Sequence, residues 1–268
     1  MAECRRAAVT RIAIGFALFW MGATQTSALT NPPGFSSGAF GVSDGGAATH
    51  SIPIAVPPGA NGMQPGFSLV YNSQAGNGVL GMGWLLSGIS SIERCPATLA
   101  QDGFHGGVNH DPNDRFCLDG QRLIAISGTN GADGTEYRTE IDSFAKIVSY
   151  GAVAYPGGGY GPEKFQVWTK GGAILEFGYT AASRILLPGT SSVHKWALNR
   201  KADRYGNYYD IVYDDLAPDQ ILPVRIDYTG NAGQGVSPTR SVQLVYEARP
   251  DPMAAYAVGA KFENEFRL

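Results

Sequence analysis

The chain has 268 residues with a formal net charge of −3, 16% charged and 44% hydrophobic residues. That length suits one domain or two small ones with a packed core. Nothing in that charge suggests an electrostatic grip on nucleic acid or on an anionic membrane. The 36 glycines, 13 tyrosines and 12 phenylalanines favour pleated, turn-rich structure over long helices.

The first 28 residues read as a targeting segment. Arg5, Arg6 and Arg11 form a basic region, and Ile12–Ala23 is an apolar run. Thr26-Ser27-Ala28 presents small residues before a cleavage site between Ala28 and Leu29. A membrane anchor fits less well, because about 20 apolar residues are needed to span. Residues 29–45 are rich in Pro, Gly and Ser and are expected to be a flexible arm, with the folded domain running over 46–268.

From Ser51 onward short apolar runs alternate with tight loops. Ser51–Val56, Phe67–Asn72 and Trp84–Ile92 are expected strands, and eleven glycines fall between Gly41 and Gly88. Arg115–Leu118 and Arg122–Ser127 flank Asp119-Gly120, a type I′ hairpin signal. Glu136–Thr139 and Phe144–Tyr150 form another pair, and Tyr155–Pro162 is expected to be a flexible loop. Phe165–Thr169 and Ala173–Tyr179 flank Lys170-Gly171-Gly172, with Phe165, Val167 and Thr169 on one face and Gln166 and Trp168 on the other. Val193–Leu198, Tyr208–Tyr213, Val224–Tyr228 and Ser241–Glu247 complete the set. The best helical candidate, Met253–Ala260, is short and contains Gly259. The expected class is all-β, with antiparallel hairpins forming curved or stacked sheets. Asp203–Asp214 and Val224–Asn231 both place Tyr, Asp, Gly and Asn around a turn; they read equally as degenerate YD-type repeats or as ordinary hairpins.

Cys4 lies in the targeting segment, leaving Cys95 and Cys117. In an exported chain an even pair supports a disulfide closing a loop of about 20 residues. Two buried free thiols are the alternative.

Candidate chemistry is sparse. Gly76-Asn77-Gly78-Val79-Leu80-Gly81 has the G-x-G-x-x-G form, but the following Gly83, Trp84, Ser87, Gly88 and Ile89 are poor helix material, so turn glycines are the preferred reading over a dinucleotide loop. Asp111-Pro112-Asn113-Asp114 with Asp119 resembles a calcium loop in composition; Arg115 and Phe116 interrupt the ligand spacing. His50, His105, His110 and His194 show no metal-binding spacing, and no G-x-S-x-G elbow occurs. No catalytic, cofactor or metal residues are therefore assigned. Trp84, Trp168 and Trp196 are expected to anchor sheet packing. Arg94, Arg115 and Arg122, near Glu93, Asp114 and Asp119, are expected to form surface pairs.

Nine segments carry a family resemblance. They are GAATHSIPI (46–54), YNSQAGNGVLGMGW (71–84), SGISSIERCP (87–96), NDRFCLDGQRL (113–123), GTEYRTEIDSF (134–144), VWTKGG (167–172), WALNRKADRYGNYYD (196–210), RIDYTGN (225–231) and VYEARPD (245–251). Together the chain resembles the N-terminal domain of the Salmonella virulence plasmid B family, shared with the B components of insecticidal Tc toxins and with Rhs/YD-repeat proteins. The resemblance implies a non-catalytic structural module of an exported toxin, helping to build a β-shell around a toxic C-terminal segment. In relatives the domain precedes a β-propeller and YD repeats, so the expected partners are other Tc/Rhs shell polypeptides or a C-terminal continuation beyond Leu268, with truncation at that end. A stand-alone secreted or surface recognition domain is the alternative. An ADP-ribosyltransferase is the weakest reading: Glu263-Asn264-Glu265 has its E-x-E form, but Gly189-Thr190-Ser191-Ser192 only loosely imitates its Ser-Thr-Ser strand.

Overall fold

The computed structural model describes residues 38–268, apart from Leu216 and Pro218. The proposed targeting segment and its Ala28/Leu29 cleavage site lie outside the described residues. The first strands are β1 (Ala39–Val42), β2 (Ala48–Pro53), β3 (Ser68–Asn72), the short pair β4 (Asn77–Gly78) and β5 (Gly81–Met82), and β6 (Trp84–Ser87). Then come β7 (Ser91–Cys95), β8 (Arg115–Leu118), β9 (Gln121–Ser127), β10 (Glu136–Thr139) and β11 (Lys146–Tyr150). They are followed by the short pair β12 (Val153–Ala154) and β13 (Tyr160–Gly161), and by β14 (Lys164–Trp168), β15 (Ile174–Phe177), β16 (Arg184–Leu186) and β17 (Val193–Ala202). The last are β18 (Asn207–Asp214), β19 (Leu222–Asn231), β20 (Arg240–Gln243), β21 (Glu247–Ala257) and β22 (Ala260–Arg267). One four-residue helix, α1 (Leu99–Asp102), interrupts the described strands. The chain is all-β, as its turn chemistry predicts.

The central feature is a closed antiparallel barrel. The strands pair in the order β15-β14-β11-β10-β9-β8-β7-β17. The ring closes where Ile174–Phe177 of β15 pairs with β17. Closure removes free edges from these eight strands. A barrel of this size has an interior just wide enough for side chains to fill, and this one is filled by rings. Trp196, Tyr137, Phe116 and Phe165 are all at most 1% exposed. Phe165 and Trp196 meet edge to face at 5.0 Å, Phe116 and Trp196 at 5.6 Å, and Phe116 and Phe165 at 5.4 Å, the geometry that aromatic quadrupoles favour. The buried polar atoms of this core have partners: Trp196 Nε1 donates to the Glu163 carbonyl, and the Gly131 N–H donates to the Tyr137 hydroxyl.

β17 is the organising strand. Ten residues long, it pairs with β16 and β7 at one end and with β15 and β18 at the other. Beyond it, β18, β19 and β20 continue the sheet outward. A separate sheet, β1-β2-β3-β6, contains the N-terminal strands, and β21 and β22 form a two-stranded ribbon. Ile54, Val56, Leu86 and Ile89 from the N-terminal portion pack against the main core.

Local expectations are met where turn residues dictate them. Asp119 and Gly120 take φ 49° and 80° between β8 and β9, with Leu118 opposite Gln121, as a type I′ turn requires. Phe165 and Val167 are buried while their neighbours on β14 are not.

Other expectations need correction. The arm expected over 29–45 contains β1, whose Ala39–Val42 pairs with Ala48–Ser51 of β2; a ladder of backbone bonds outweighs the local Pro/Gly/Ser bias. The single run Trp84–Ile92 is two strands, broken at Gly88 (φ 102°), where an added Cβ would strike the Gly66 backbone. Met253–Ala260, too short and Gly-containing for a helix, is strand and hairpin in keeping with the all-β class. The Tyr155–Pro162 loop is anchored: Tyr155 is buried, its N–H bonds to the Gly159 carbonyl, and Tyr160–Gly161 forms β13.

Candidate functional site

The densest polar cluster seals one end of the barrel. Arg94 on β7 turns inward and lies 4.8 Å from the Tyr155 ring centroid and 5.7 Å from those of Phe116 and Trp196. Its Nη1 pairs with Asp114 Oδ2 at 2.9 Å, with both side chains fully buried. Its Nε donates to the Val193 carbonyl at 2.6 Å, and its other amines reach Tyr155 Oη and Ser192 Oγ. Burying an arginine costs several kcal/mol unless its donors and charge are satisfied; here one carboxylate, one carbonyl and two hydroxyls do so. Asp114 also accepts from the backbone N–H groups of Asn109 and His110, which folds the 109–114 segment around it.

His110 extends this network. Its backbone is left-handed (φ 56°) and its side chain is 1% exposed. Nδ1 lies 2.7 Å from Ser192 Oγ, and Nε2 lies 3.1 Å from Nδ1 of His194. Since Ser192 Oγ accepts from Arg94, its proton is free to go to His110 Nδ1. His110 Nε2–H then donates to His194 Nδ1, so both ring nitrogens of a neutral His110 have a partner. Burial, with Arg94 and His194 adding to it, pushes His110 down to about 3. Burial also lowers His194, helped by Arg94. The outer side of His194 rests on Phe262 of β22, 5.2 Å between centroids, linking the barrel end to the C-terminal ribbon.

A serine hydroxyl hydrogen-bonded to an imidazole has the outline of a nucleophile and base. Ser192 is 0% exposed, however, and Asp114 bonds the His110 backbone rather than its ring. No substrate atom reaches this hydroxyl without unfolding the plug. The arrangement holds the barrel end shut.

The remaining sequence candidates are scattered. Cys95 and Cys117 come to bonding distance across β7 and β8, with Cα atoms 6.0 Å apart. They occupy diagonal positions, since Cys95 is opposite Arg115 and Cys117 opposite Glu93. Gly76–Gly81 makes the β4–β5 turn, where Gly78 and Gly81 pair, and no helix follows. Asp114 points into the plug, whereas Asp119 sits in the β8–β9 turn and accepts from Ser91 N and Ser90 Oγ. His50 packs edge-on to Trp84, 6.4 Å between centroids, and only His110 and His194 pair, 84 residues apart. Of the tryptophans, Trp196 is the core anchor, while Trp84 and Trp168 are half-buried.

The arginines are not surface pairs. Arg94 is buried on Asp114, and Arg115 and Arg122 both clamp Asp102, whose side chain is 7% exposed. Burial works against ionisation of Asp102. The Thr98 N–H and the two arginines outweigh it and hold the carboxyl below its ordinary value. Sequence proximity to Glu93 and Asp119 misled because the chain reverses at α1, bringing Asp102 back over β8 and β9.

Glu263 and Glu265 lie on β22 of the ribbon. Glu263 pairs with Lys261, and the backbone N–H groups of Glu263 and Glu265 bond Asp219 and Gln220. The ribbon base is fixed further by Arg249, which donates to the Gly78 carbonyl and Asn77 Oδ1. Beyond that base, β21 exposes Met253 and Tyr256.

Fold and site together define an all-β barrel-and-sheet module with a buried polar cluster, closed to solvent, at one barrel end. The chain belongs to the Salmonella virulence plasmid 65kDa B protein family, which matches residues 42–223. It is 25% identical over 254 residues to the Mono(ADP-ribosyl)transferase SpvB of Salmonella choleraesuis (strain SC-B67), covering 86% of this chain and 40% of that relative. The SpvB of Salmonella typhimurium matches with the same identity and coverage. The chain thus spans 40% of the length of the curated relatives it matches.

Solved structures share the fold. The N-terminal domain of effector protein SpvB from Salmonella typhimurium strain LT2 superposes with a TM-score of 0.59 at 19% identity, covering 81% of this chain and 85% of that one. A chain of the Photorhabdus luminescens Tc holotoxin pore gives 0.63 at 17% identity, covering 87% of this chain and 13% of the toxin chain. TcdB2-TccC3 gives 0.64 at 18%, covering 87% and 14%. The SpvB likeness therefore falls on the domain N-terminal in that effector.

Proposed function

We propose that this chain is a non-catalytic structural module of an exported Tc/Rhs-like toxin or virulence protein, contributing wall to a β-shell that houses a toxic segment. The observation that carries the reading is the coverage: most of this chain superposes on a small part of a much larger toxin chain. A filled barrel core and a plugged end suit a building element, since packed rings make the barrel rigid. The partners are other shell polypeptides of the Tc/Rhs type, or a continuation of this chain, and the basic-apolar N-terminus directs export through cleavage at Ala28/Leu29. The transferase named for the curated relatives is assigned to the part of those proteins outside the match. The Glu263/Glu265 pair on a ribbon gives it no support: the hollow that Glu263 borders is lined by Lys195, Asp219 and Gln220, with no arginine, serine or threonine among the described residues lining it.

The test is co-expression of the mature chain with the polypeptide encoded immediately downstream, followed by size-exclusion chromatography. Co-elution as one large β-rich assembly supports the shell. A monodisperse monomer that ignores the downstream product favours the alternative of a stand-alone recognition domain, a reading the chain's own closed core makes workable.

A further inference from the structure

A hollow of mixed polar and apolar lining lies away from the plug, where β15, β17 and β18 meet. A β-bulge creates it. Glu176 pairs with Arg200 but the next residue, Phe177, pairs with Leu198, so Asn199 is the extra residue of β17. Bulges re-aim side chains and bend the strand. Asn199 is consumed internally: its Oδ1 accepts from Tyr179 N and Ser183 Oγ, and its Nδ2 donates to Thr180 Oγ1. This pulls the 179–183 turn up as a rim over a hollow of about 480 Å³.

The groups lining that hollow alternate in hydrogen-bonding sense. Arg200 spends Nε and Nη2 on the two oxygens of Asp210, at 2.6 and 2.8 Å, and the Tyr208 ring covers it at 4.3 Å. Its Nη1 is left as a fixed donor. Glu176, directly across from Arg200, forms neither an ion pair nor a hydrogen bond among the described residues. Its carboxyl is pushed up by burial, with Arg200 opposing. Tyr179 adds a hydroxyl and a ring edge, while Ala182, Ile211 and Tyr213 give an apolar wall.

We propose that this hollow binds a neutral sugar, with Glu176 accepting from vicinal hydroxyls and Arg200 Nη1 donating to a neighbouring oxygen. A pyranose offers what the lining lacks: adjacent groups that both donate and accept, and a C–H face for an apolar wall. Cationic ligands fit poorly, because Arg200 and the Lys164 ammonium, 4.8 Å from the Tyr179 ring centroid, already supply positive charge. Anionic ligands would meet Glu176 and Asp210. The volume lies within the range of ordinary small-ligand sites.

The test is saturation-transfer difference NMR on the mature chain with glucose, galactose, mannose and N-acetylglucosamine, each at millimolar concentration, and with butylammonium as the cationic control. The proposal predicts saturation transfer to at least one sugar. It also predicts that Glu176→Ala and, independently, Tyr179→Ala weaken that sugar about tenfold or more while both variants melt cooperatively. Glu263→Gln, on the distant ribbon, should leave binding unchanged. No transfer to any of the four sugars, transfer to butylammonium alone, or sugar binding untouched by both hollow variants would overturn it.

Discussion

Arg94 and Asp114 form an ion pair 2.9 Å long with neither side chain exposed, and the 109–114 segment is folded around it. Breaking one side of such a pair strands a charge in a dry site. Asp114→Ala should therefore destabilise the domain by about 3–5 kcal/mol, read as a lower urea midpoint. Replacing both partners by apolar residues of similar size, Arg94→Met with Asp114→Leu, should recover only the part due to the stranded charge, because the Asn109 and His110 N–H groups still lose their acceptor.

The neutral imidazole of His110 makes stability depend on pH. Its folded value, about 3, lies below the unfolded value of 6.5. Between those values the unfolded state holds the extra proton, so the contribution is fully present above about pH 6.5 and falls as pH drops toward 3, by at most about 1.4 kcal/mol per unit. His194 shifts in the same direction. Urea titrations at pH 7.5, 6 and 5 should show falling midpoints over a range where ordinary carboxylates stay ionised. The His110→Gln variant should flatten that slope.

Cys95 and Cys117 are separated by 22 residues. A bridge across a loop of that length contributes about 3 kcal/mol in the chain-entropy model. Intact mass of exported, alkylated protein should show no free thiol at these two positions. Reductant should lower the melting temperature, and Cys95→Ala/Cys117→Ala should match the reduced protein. Two alkylated thiols in the unreduced sample would leave the alternative of free cysteines.

Val258 occupies the first turn position between β21 and β22 with φ 54°, a conformation that β-branched residues resist. Val258→Asn should stabilise the ribbon by about 1 kcal/mol. Because a two-stranded ribbon is marginal by itself, the gain should appear as slower hydrogen exchange across 253–264, with little change in the global melt.

Much of the fold was legible because turn chemistry is local. Asp119-Gly120 and Lys170-Gly171-Gly172 mark hairpins at their observed places, and the period-two pattern at Phe165 and Val167 gives the buried face of β14. Barrel closure was not legible: pairing Ile174 with Ala202 depends on β17 being long enough to serve two neighbours, and no nearby residue encodes that. The plug was missed for the same reason. His110 and Ser192 are 82 residues apart, and each alone is unremarkable. Met253–Ala260 carries no convincing helical period, and its pairing with 260–264 makes it part of the ribbon.

The proposed role of this chain is to work by shape. The most direct measurement is incubation of the purified mature protein with NAD labelled in the nicotinamide ring, with and without a eukaryotic cell lysate as acceptor. A structural module should release nicotinamide no faster than buffer does and give no labelled acceptor when the adenylate is labelled instead. Release well above buffer that disappears in Glu265→Gln would contradict that role.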